Sequence, residues 1–303
     1  MPCQKGPAHQ HYLPKMYLKN FCNYNGKVWV YNDKNQTFKE LSITDTTVIK
    51  HFYTILDNNG SKDYRIENSL SKIEAFCSPI LKKLIDGQQI SSEEKGYLSV
   101  FISVLQNRTP KAVKLINEFV NPILELTNKQ ILYYKQSELV EKGEKLGLSR
   151  KVINKLMENS KISLTKEGEW GLLMETALKM AELYSQMEWH FIYTENSSFI
   201  TTDNPVLVYP AKFDTGPYGN VGIAIPTTEK HITIAPNLIL RICDLGNPSI
   251  YYHILNDKEK IRIINEQQLK FREQFAIARD NGHLEYLVKR TNNKKFKTYI
   301  KVN

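Results

Sequence analysis

The sequence lacks the long apolar runs that would tie it to a membrane or send it through one. No segment reaches the roughly 18 consecutive apolar residues that a bilayer-spanning helix needs. No apolar run follows Lys5 at the N-terminus, so the first residues do not resemble a signal peptide. We therefore expect a cytoplasmic protein with no membrane partner.

Cysteine is scarce, and glycine-rich nucleotide loops are missing. The four cysteines lie far apart, at Cys3, Cys22, Cys77 and Cys243. No pair has CxxC spacing, so the pattern predicts neither a zinc site nor a disulfide framework, and we expect free thiols. The absence of GxGxxG, Walker and GxSxG motifs argues against the usual nucleotide sites and against acyl-transfer chemistry.

Positive charge is in excess, and most of the excess lies at the C-terminal end. The formal net charge is +9, and residues 289–303 contain six basic residues and no acidic one, so subtracting them leaves +3 for the other 288 residues. This basic tail could contact the phosphates of DNA or RNA, or an acidic partner protein. The alternative is a solvated edge strand near 296–301, where lysines discourage aggregation. The sequence also leaves open that the protein forms a homo-oligomer.

The order of secondary-structure patterns predicts an α+β protein, because strands come first, then a block of helices, then strands again. The block includes a helix with a capping box, in which Ser91 precedes Glu94 by three residues. The predicted strands are 27–31, 36–43, 52–56, 189–193, 199–202, 206–209, 231–234, 238–243, 284–288 and 296–301. The predicted helices begin near 63 and 91, continue near 111–120, 122–143, 149–158 and 166–188, and include 257–277, with an exposed turn at 141–145.

We expect a single domain over residues 1–303. Residues 1–60 would form an N-terminal segment and β-hairpin, and residues 61–188 a central helical block. Both would pack on a C-terminal antiparallel β-rich region, residues 189–303, which also contains one helix and the basic tail.

Histidines and carboxylates form the first candidate groups for chemistry. His9 and His11 are two residues apart, so in a strand both side chains point to one side and could bind a metal or transfer protons. Glu67 and Glu74 are nearly two helical turns apart and share a helix face, where they could hold a divalent cation or act as acid and base. Alternatively, the histidines belong to a terminal segment and only cap or hydrogen-bond the fold. The glutamates would then lie on an ordinary solvated helix face.

Two further groups lie at the ends of predicted elements. Arg108 follows Gln106 near a helix break, where the arginine could bind a phosphate and the glutamine could orient a substrate. The alternative is a buried arginine paired with Glu67 or Glu74. Asp203 ends a strand, which suits either a site residue or a turn in which the carboxylate accepts backbone N–H groups.

These groups, in this order, resemble a family of uncharacterised, mostly bacterial proteins catalogued as domain of unknown function 4238. The resemblance covers about residues 9 to 280. The matching stretches are His11-Tyr12-Leu13-Pro14 with Tyr17-Leu18 and Phe21, Phe52-Tyr53, Glu67 with Ile73-Glu74, Gln106 with Arg108-Thr109-Pro110, Phe199-Ile200-Thr201-Thr202-Asp203-Asn204-Pro205-Val206, and Ile225-Pro226-Thr227-Thr228. The resemblance implies a bacterial or phage-related cytosolic protein and favours one shared site, but it implies no mechanism.

The leading hypothesis is a metal-dependent phosphodiesterase or nuclease that acts on nucleic acid as a toxin or phage-defence effector. Its catalytic residues would be His11, Gln106, Arg108 and Asp203. Mg²⁺ or Mn²⁺ would be held by Glu67, Glu74, Asp203 and His9. The alternative is a non-catalytic regulatory protein that binds nucleic acid or a partner protein, with Tyr133-Tyr134 and Tyr251-Tyr252-His253 available to stack bases. A metal-free hydrolase or transferase using His11 and Asp203 is a third hypothesis.

Overall fold

The described residues of the computed structural model are 6–56, 59–210, 222–225 and 228–292. The chain divides into two compact units. One contains residues 1–109 and 174–303, and the other contains residues 110–173. Among the described residues, no helix is long and apolar enough to cross a membrane.

The helices and strands of the described residues are as follows. The helices are α1 (Lys15–Leu18), α2 (Arg65–Ile85), α3 (Ser92–Asn107), α4 (Pro110–Tyr134), α5 (Gln136–Lys145), α6 (Arg150–Glu158), α7 (Lys166–Ser185), α8 (Lys258–Lys270) and α9 (Asn281–Asn292). The strands are β1 (His9–His11), β2 (Lys27–Asn32), β3 (Thr37–Ser42), β4 (Val48–Lys50), β5 (Ile55–Leu56), β6 (Lys62–Asp63), β7 (Met187–Tyr193), β8 (Thr201–Thr202), β9 (Val206–Pro210), β10 (Thr228–Ala235), β11 (Leu238–Leu245), β12 (Ile250–Ile254) and β13 (Phe275–Ala278).

A five-stranded sheet forms the centre of the larger unit, with strand order β12-β7-β11-β10-β9. Its neighbours are antiparallel except β12 and β7, which run parallel. On one face of β7, Trp189 and Phe191 are fully buried. Because side chains alternate along a strand, Glu188 and His190 lie on the other face, which we call the polar face.

The core of this unit joins the buried sheet face to helices α2 and α3. Leu98, Phe101 and Leu105 of α3 belong to one buried cluster with Leu84 of α2 and Trp189 of β7. The first turn of α3 has the expected capping box, in which the Ser91 and Glu94 side chains bond each other's backbone N–H. The cap satisfies two N–H groups that would otherwise have no partner, which accounts for where α3 begins.

A four-stranded sheet of order β3-β2-β13-β8 contains the predicted N-terminal hairpin as β2 and β3. Its strand β13 comes from near the C-terminus and pairs with both β2 and β8. Helices α8 and α9 supply Leu269, Leu284 and Leu287 to a second buried cluster with Tyr31 of β2. Residues far apart in sequence therefore meet in this sheet.

The smaller unit consists of α4, α5, α6 and the first residues of α7. The Nδ2 atom of Asn128 donates to Ser160 Oγ at 3.0 Å, and the Leu164 N–H donates to Asn121 Oδ1 at 3.0 Å. Gly143 of α5 faces Ile153 of α6, and a Cβ atom at this glycine would lie 2.5 Å from the isoleucine Cδ1. The glycine thus permits the close approach of these two helices.

The predicted fold class is confirmed: the protein is α+β, with the hairpin, the helices and a C-terminal β-rich region, and its sheets are antiparallel apart from the β12–β7 pair. The division into one domain with segments 1–60, 61–188 and 189–303 stays a prediction. The compact units are divided at other positions, after Thr109 and before Met174.

Two element predictions near the C-terminus are wrong. The helix predicted over 257–277 ends at Lys270, because Phe275–Ala278 is drawn into the four-stranded sheet as β13. The strand predicted over 284–288 lies inside α9, which buries Leu284, Leu287 and Val288 at helical spacing. Asp280 supports its first turn by accepting the His283 N–H at 2.7 Å. The strand predicted at 296–301 lies outside the described residues.

Three other boundaries also differ from the prediction. Helix α4 continues through Pro122, although the proline has no N–H group and so removes one backbone hydrogen bond from the helix. The turn expected over 141–145 is part of α5. Of the strand expected over 52–56, only Ile55–Leu56 pairs, with β6.

Candidate functional site

Arg108 lies at the centre of a buried polar network in the larger unit. Its side chain is 3% exposed and follows directly after the last residue of α3. Its Nη1 donates to Glu74 Oε1 at 2.6 Å, its Nη2 to the His11 carbonyl at 2.7 Å, and its Nε to Tyr53 Oη at 3.1 Å. One guanidinium therefore connects the N-terminal segment, the chain before α2, helix α2 and the end of α3.

Tyr53 reinforces the same junction. Its Oη lies 3.3 Å from the His11 carbonyl and 3.2 Å from the Arg108 carbonyl, both of which can accept its proton. The guanidinium carbon lies 5.4 Å from the centre of the tyrosine ring, a cation–π arrangement. Burial raises the pKa of Tyr53 to about 12, despite the opposing charge of Arg108, so the phenol stays protonated.

Glu67 is the carboxylate of this region that lacks a full set of partners. It lies two helical turns before Glu74 on α2, and its Oε2 is buried without a hydrogen-bond partner. Burial raises the pKa of Glu67, Arg108 and Lys15 oppose the shift, and the Glu74 carboxylate adds to it. An unsatisfied buried oxygen of this kind is unusual and marks a position where a proton, cation or ligand would be stabilised.

The pKa of His11 is lowered, whereas that of Glu67 is raised. Burial lowers its pKa, the charges of Lys15 and Arg108 lower it further, and the carbonyls of Thr44 and Ile43 oppose the shift. The Nε2 atom lies 3.2 Å from the Thr44 carbonyl, which can only accept, so the neutral ring donates there. A neutral imidazole keeps one unprotonated nitrogen and can act as a base.

Asp203 acts electrostatically on Tyr12, the residue after His11, but its oxygens are bonded to backbone groups elsewhere. Oδ1 accepts the Glu273 N–H at 3.0 Å, and Oδ2 accepts the N–H groups of Gln274 and Phe275 at 2.7 and 3.0 Å. The carboxylate therefore fixes the start of β13. Burial raises the pKa of Tyr12. The charge of Asp203 raises it further, and Tyr53 makes a smaller contribution in the same direction.

The other two predicted residues lie apart from the Arg108 network. Gln106 accepts a hydrogen bond from Tyr184 Oη at 2.7 Å, which joins α3 to α7. His9 is exposed on β1, opposite Lys50 of β4. Of the predicted residues, Glu74 and the backbone carbonyl of His11 thus bond to Arg108, while Glu67 and the His11 ring are linked to Arg108 only by its charge.

Sequence reasoning missed the polar face of the five-stranded sheet. Arg241 of β11 makes two hydrogen bonds to Glu229 of β10, at 2.6 and 2.8 Å. His231 lies 3.4 Å from Glu229, and its Nδ1 is 3.0 Å from Tyr209 Oη. These four side chains line a cavity of about 270 Å³. Polar residues alternating with apolar ones in β10 and β11 were the available signal, but the pattern does not tell which strands become neighbours.

A possible metal-binding group also lies on the polar face. Glu188 and His190 of β7 and Cys243 of β11 each offer a ligand atom, and these atoms lie within 4.8 Å of one another. Among the predicted metal ligands, Glu74 is bonded to Arg108 and Asp203 to three backbone N–H groups, while Glu67 retains a free buried oxygen. The protein therefore offers two different sets of metal donors. The first is the carboxylate of Glu67, and the second combines the carboxylate, imidazole and thiol of Glu188, His190 and Cys243.

Together, the fold and the Arg108 network define an α+β protein in which the N-terminal segment is held against two helices by one buried arginine. The family model described as Protein of unknown function (DUF4238) matches residues 9–282, so the chain belongs to that family, as the sequence motifs predicted. No curated protein and no solved structure matches the chain.

Proposed function

We propose that the protein is a phosphoester hydrolase that cleaves phosphodiester bonds of nucleic acid, with Glu67 and His11 as its acid and base. The observation that carries the proposal is the unpartnered buried Oε2 of Glu67 beside the Arg108 network. Its raised pKa favours a protonated carboxyl group, while the lowered pKa of His11 favours a neutral imidazole. Buried titratable groups with displaced pKa values are more frequent at functional sites than elsewhere.

The proposed reaction assigns each proton to one of these two groups. His11 accepts a proton from a water molecule as the water oxygen attacks phosphorus. Glu67 donates its proton to the departing oxygen as the phosphorus–oxygen bond breaks. Lys15 is exposed and acts electrostatically on both Glu67 and His11, so its charge is placed to attract the phosphate. Arg108 positions the N-terminal segment, since Nε, Nη1 and Nη2 each donate to protein acceptors.

A second form of the proposal has Mg²⁺ or Mn²⁺ at this position, where the cation would take the place of the Glu67 proton and Glu67 would be an ionised ligand in place of the acid. Hard cations of this kind prefer carboxylate oxygens, and the Oε2 of Glu67 is such an oxygen without a hydrogen bond. Glu74 would contribute through the oxygen that Arg108 does not use. Loss of activity on chelation, restored by Mg²⁺ or Mn²⁺, supports the metal-bound form and excludes Glu67 as the acid. Activity that chelation leaves unchanged contradicts it and leaves the acid–base proposal in place.

The choice of nucleic acid as substrate rests on charge. The net charge of +9 favours a polyanion. Of the basic tail, Lys289 and Arg290 are described, and they are paired with Glu285 and Glu266. The other four basic residues of the tail lie outside the described residues. A toxin or phage-defence role in the cytoplasm is part of the same proposal.

The test is cleavage of labelled single- and double-stranded DNA and RNA by the purified full chain. The Glu67→Gln variant removes the acid while keeping the side-chain shape, so we expect a loss of about 10²–10⁴-fold in cleavage rate, as for loss of a general acid. Glu182→Gln, at an exposed position on α7, is the matched control and should cleave like the parent. Equal rates for the parent and Glu67→Gln would sink the proposal, and salt-sensitive binding without turnover would favour the non-catalytic alternative.

A further inference from the structure

The second donor set combines a thiol, an imidazole and a carboxylate on two adjacent strands. Cys243 of β11 is directly opposite Glu188 of β7, and His190 follows two residues later on the same face. The Cys243 Sγ lies 3.9 Å from Glu188 Oε1, and His190 Nε2 lies 2.5 Å from that same oxygen. The side chains of Glu188 and His190 are 15% and 17% exposed, and Cys243 is 5% exposed as a whole.

We propose that Glu188, His190 and Cys243 bind one divalent transition metal ion of the Zn²⁺ class. A thiolate with an imidazole is a soft donor set that selects Zn²⁺ over Mg²⁺, Ca²⁺ or Mn²⁺. With Cys243 deprotonated, the three ligands carry two negative charges and balance the ion. The site shares no residue with the proposed Glu67 site and does not depend on the proposed function.

Two of the three separations between ligand atoms can be compared with those around a bound zinc ion. Ligands bound tetrahedrally at typical zinc distances lie about 3.3 Å apart for nitrogen and oxygen and about 3.6 Å apart for sulfur and oxygen. The observed sulfur–oxygen separation of 3.9 Å is close to that requirement. The nitrogen–oxygen separation of 2.5 Å must widen, as expected when a metal replaces a proton shared between His190 and Glu188.

The surroundings of His190 suit a metal ligand. Its Nδ1 lies 2.8 Å from His253 Nε2, so with Nε2 on the metal the Nδ1–H can donate to His253. Metal-bound histidines usually donate their second N–H in this way. Tyr251 stacks on the His190 ring at a centroid distance of 5.0 Å and restricts its rotation.

The Glu188 ligand is also held in position, and His190 borders a cavity. Asn247 Nδ2 donates to the second carboxylate oxygen of Glu188, which orients that ligand. His190 and His253 line a cavity of about 300 Å³. Three protein ligands leave one coordination position for water or for a substrate atom, as in catalytic zinc sites.

Metal binding by the full chain tests this inference. After chelator treatment and desalting, Zn²⁺ is titrated by calorimetry, and Co²⁺ is added to detect the thiolate-to-cobalt charge-transfer absorption. We expect one equivalent of Zn²⁺ to bind and Co²⁺ to give that absorption. Cys243→Ser should abolish the absorption and weaken Zn²⁺ binding by at least about 100-fold, because a metal ligand is lost. His253→Ala should weaken binding about 10-fold through loss of the orienting bond.

The controls separate this site from other features. Cys77→Ser alters another buried cysteine, on α2, and should bind metal like the parent. Glu67→Gln should also bind Zn²⁺ normally, so that failure of the proposed function and failure of the metal site are distinguishable. Circular dichroism verifies that each variant is folded, and His190→Gln replaces Cys243→Ser if the latter is not. No Zn²⁺ binding at micromolar concentrations, or binding unchanged in the folded ligand variant, overturns the proposal and leaves Glu188, His190 and His253 as a metal-free hydrogen-bonded chain.

Discussion

The network around Arg108 and the polar face of the five-stranded sheet are both partly buried and charged, but they are built in opposite ways. Around Arg108, residues separated by more than 30 positions in sequence are joined by hydrogen bonds to one guanidinium. On the polar face, residues two apart on a strand meet residues of the neighbouring strand through register. The Arg108 network holds separate segments together. The residues of the polar face lie on a sheet that hydrophobic packing on its other face already stabilises.

The largest expected effect in this comparison is the loss of Arg108. Arg108→Met should lower the free energy of unfolding by about 3–5 kcal/mol, because a buried ion pair loses one partner. Urea denaturation followed by circular dichroism measures it. Lys82→Met, which breaks the exposed Lys82–Asp86 pair, is the control and should change stability by about 0.5 kcal/mol or less. A similar small change for both variants would show that Arg108 does not hold the segments together.

Breaking the Arg241–Glu229 pair on the polar face should have a smaller effect. Burial alone would raise the pKa of Glu229, but the hydrogen bonds and charges of Arg241 and His231 lower it to about 2. We expect Glu229→Gln to lower the free energy of unfolding by about 1 kcal/mol at pH 7, as for a partly exposed ion pair.

The pH dependence of that difference follows from the lowered pKa. The stabilising contribution of Glu229 is fully present above its ordinary pKa of 4.5 and is lost as the pH falls toward about 2. The parent and Glu229→Gln should therefore converge in acid when unfolding is measured across that range. A difference that does not depend on pH would contradict the assignment of the effect to this ion pair.

Glu67 should give the smallest change in stability, and of the opposite sign. Because its folded pKa is raised above 4.5, the folded state binds the proton more strongly, and stability falls as the pH rises from 4.5 through the folded pKa. Glu67→Gln should therefore be slightly more stable than the parent at pH 7 and no more stable at pH 4. Thermal unfolding at the two pH values measures this, and lower stability of the variant at pH 7 would assign Glu67 a structural role.

The pH profile of cleavage sharpens the assignment of the two proposed catalytic groups. His11 must be unprotonated, which is favoured above a folded pKa lying below 6.5, and Glu67 must be protonated, which is favoured below a folded pKa lying above 4.5. We expect a bell-shaped profile of kcat/KM. His11→Ala should flatten its acid limb and Glu67→Gln its alkaline limb. A profile whose shape neither variant changes would exclude these residues as the titrating groups.

The fold was predictable where local signals were strong. The Ser91 capping box located the start of α3, and the apolar alternation of residues 27–31 indicated the hairpin strand β2. The fold was not predictable where the availability of neighbouring strands decides whether a segment becomes a strand. Phe275–Ala278 continues an amphipathic pattern but becomes β13, because β2 and β8 offer free edges on either side.

The candidate site divides in the same way. Motif order predicted one site for His11, Glu67, Glu74, Arg108 and Asp203. Arg108 bonds to Glu74 and to the His11 carbonyl and acts electrostatically on Glu67, whereas the oxygens of Asp203 are bonded elsewhere. The engagement of Asp203 with three backbone N–H groups of residues 273–275 had no signal in the sequence, because those residues are some seventy positions away.

By itself, the sequence determined the α+β class, the family and the helix cap at Ser91, because these depend on local spacing and on motifs in order. Only the tertiary structure decided which polar groups have partners and which do not. The free oxygen of Glu67 and the approach of Cys243 to Glu188 and His190 depend on burial and on strand register. Both are properties of how distant segments pack, and no spacing along the chain records them.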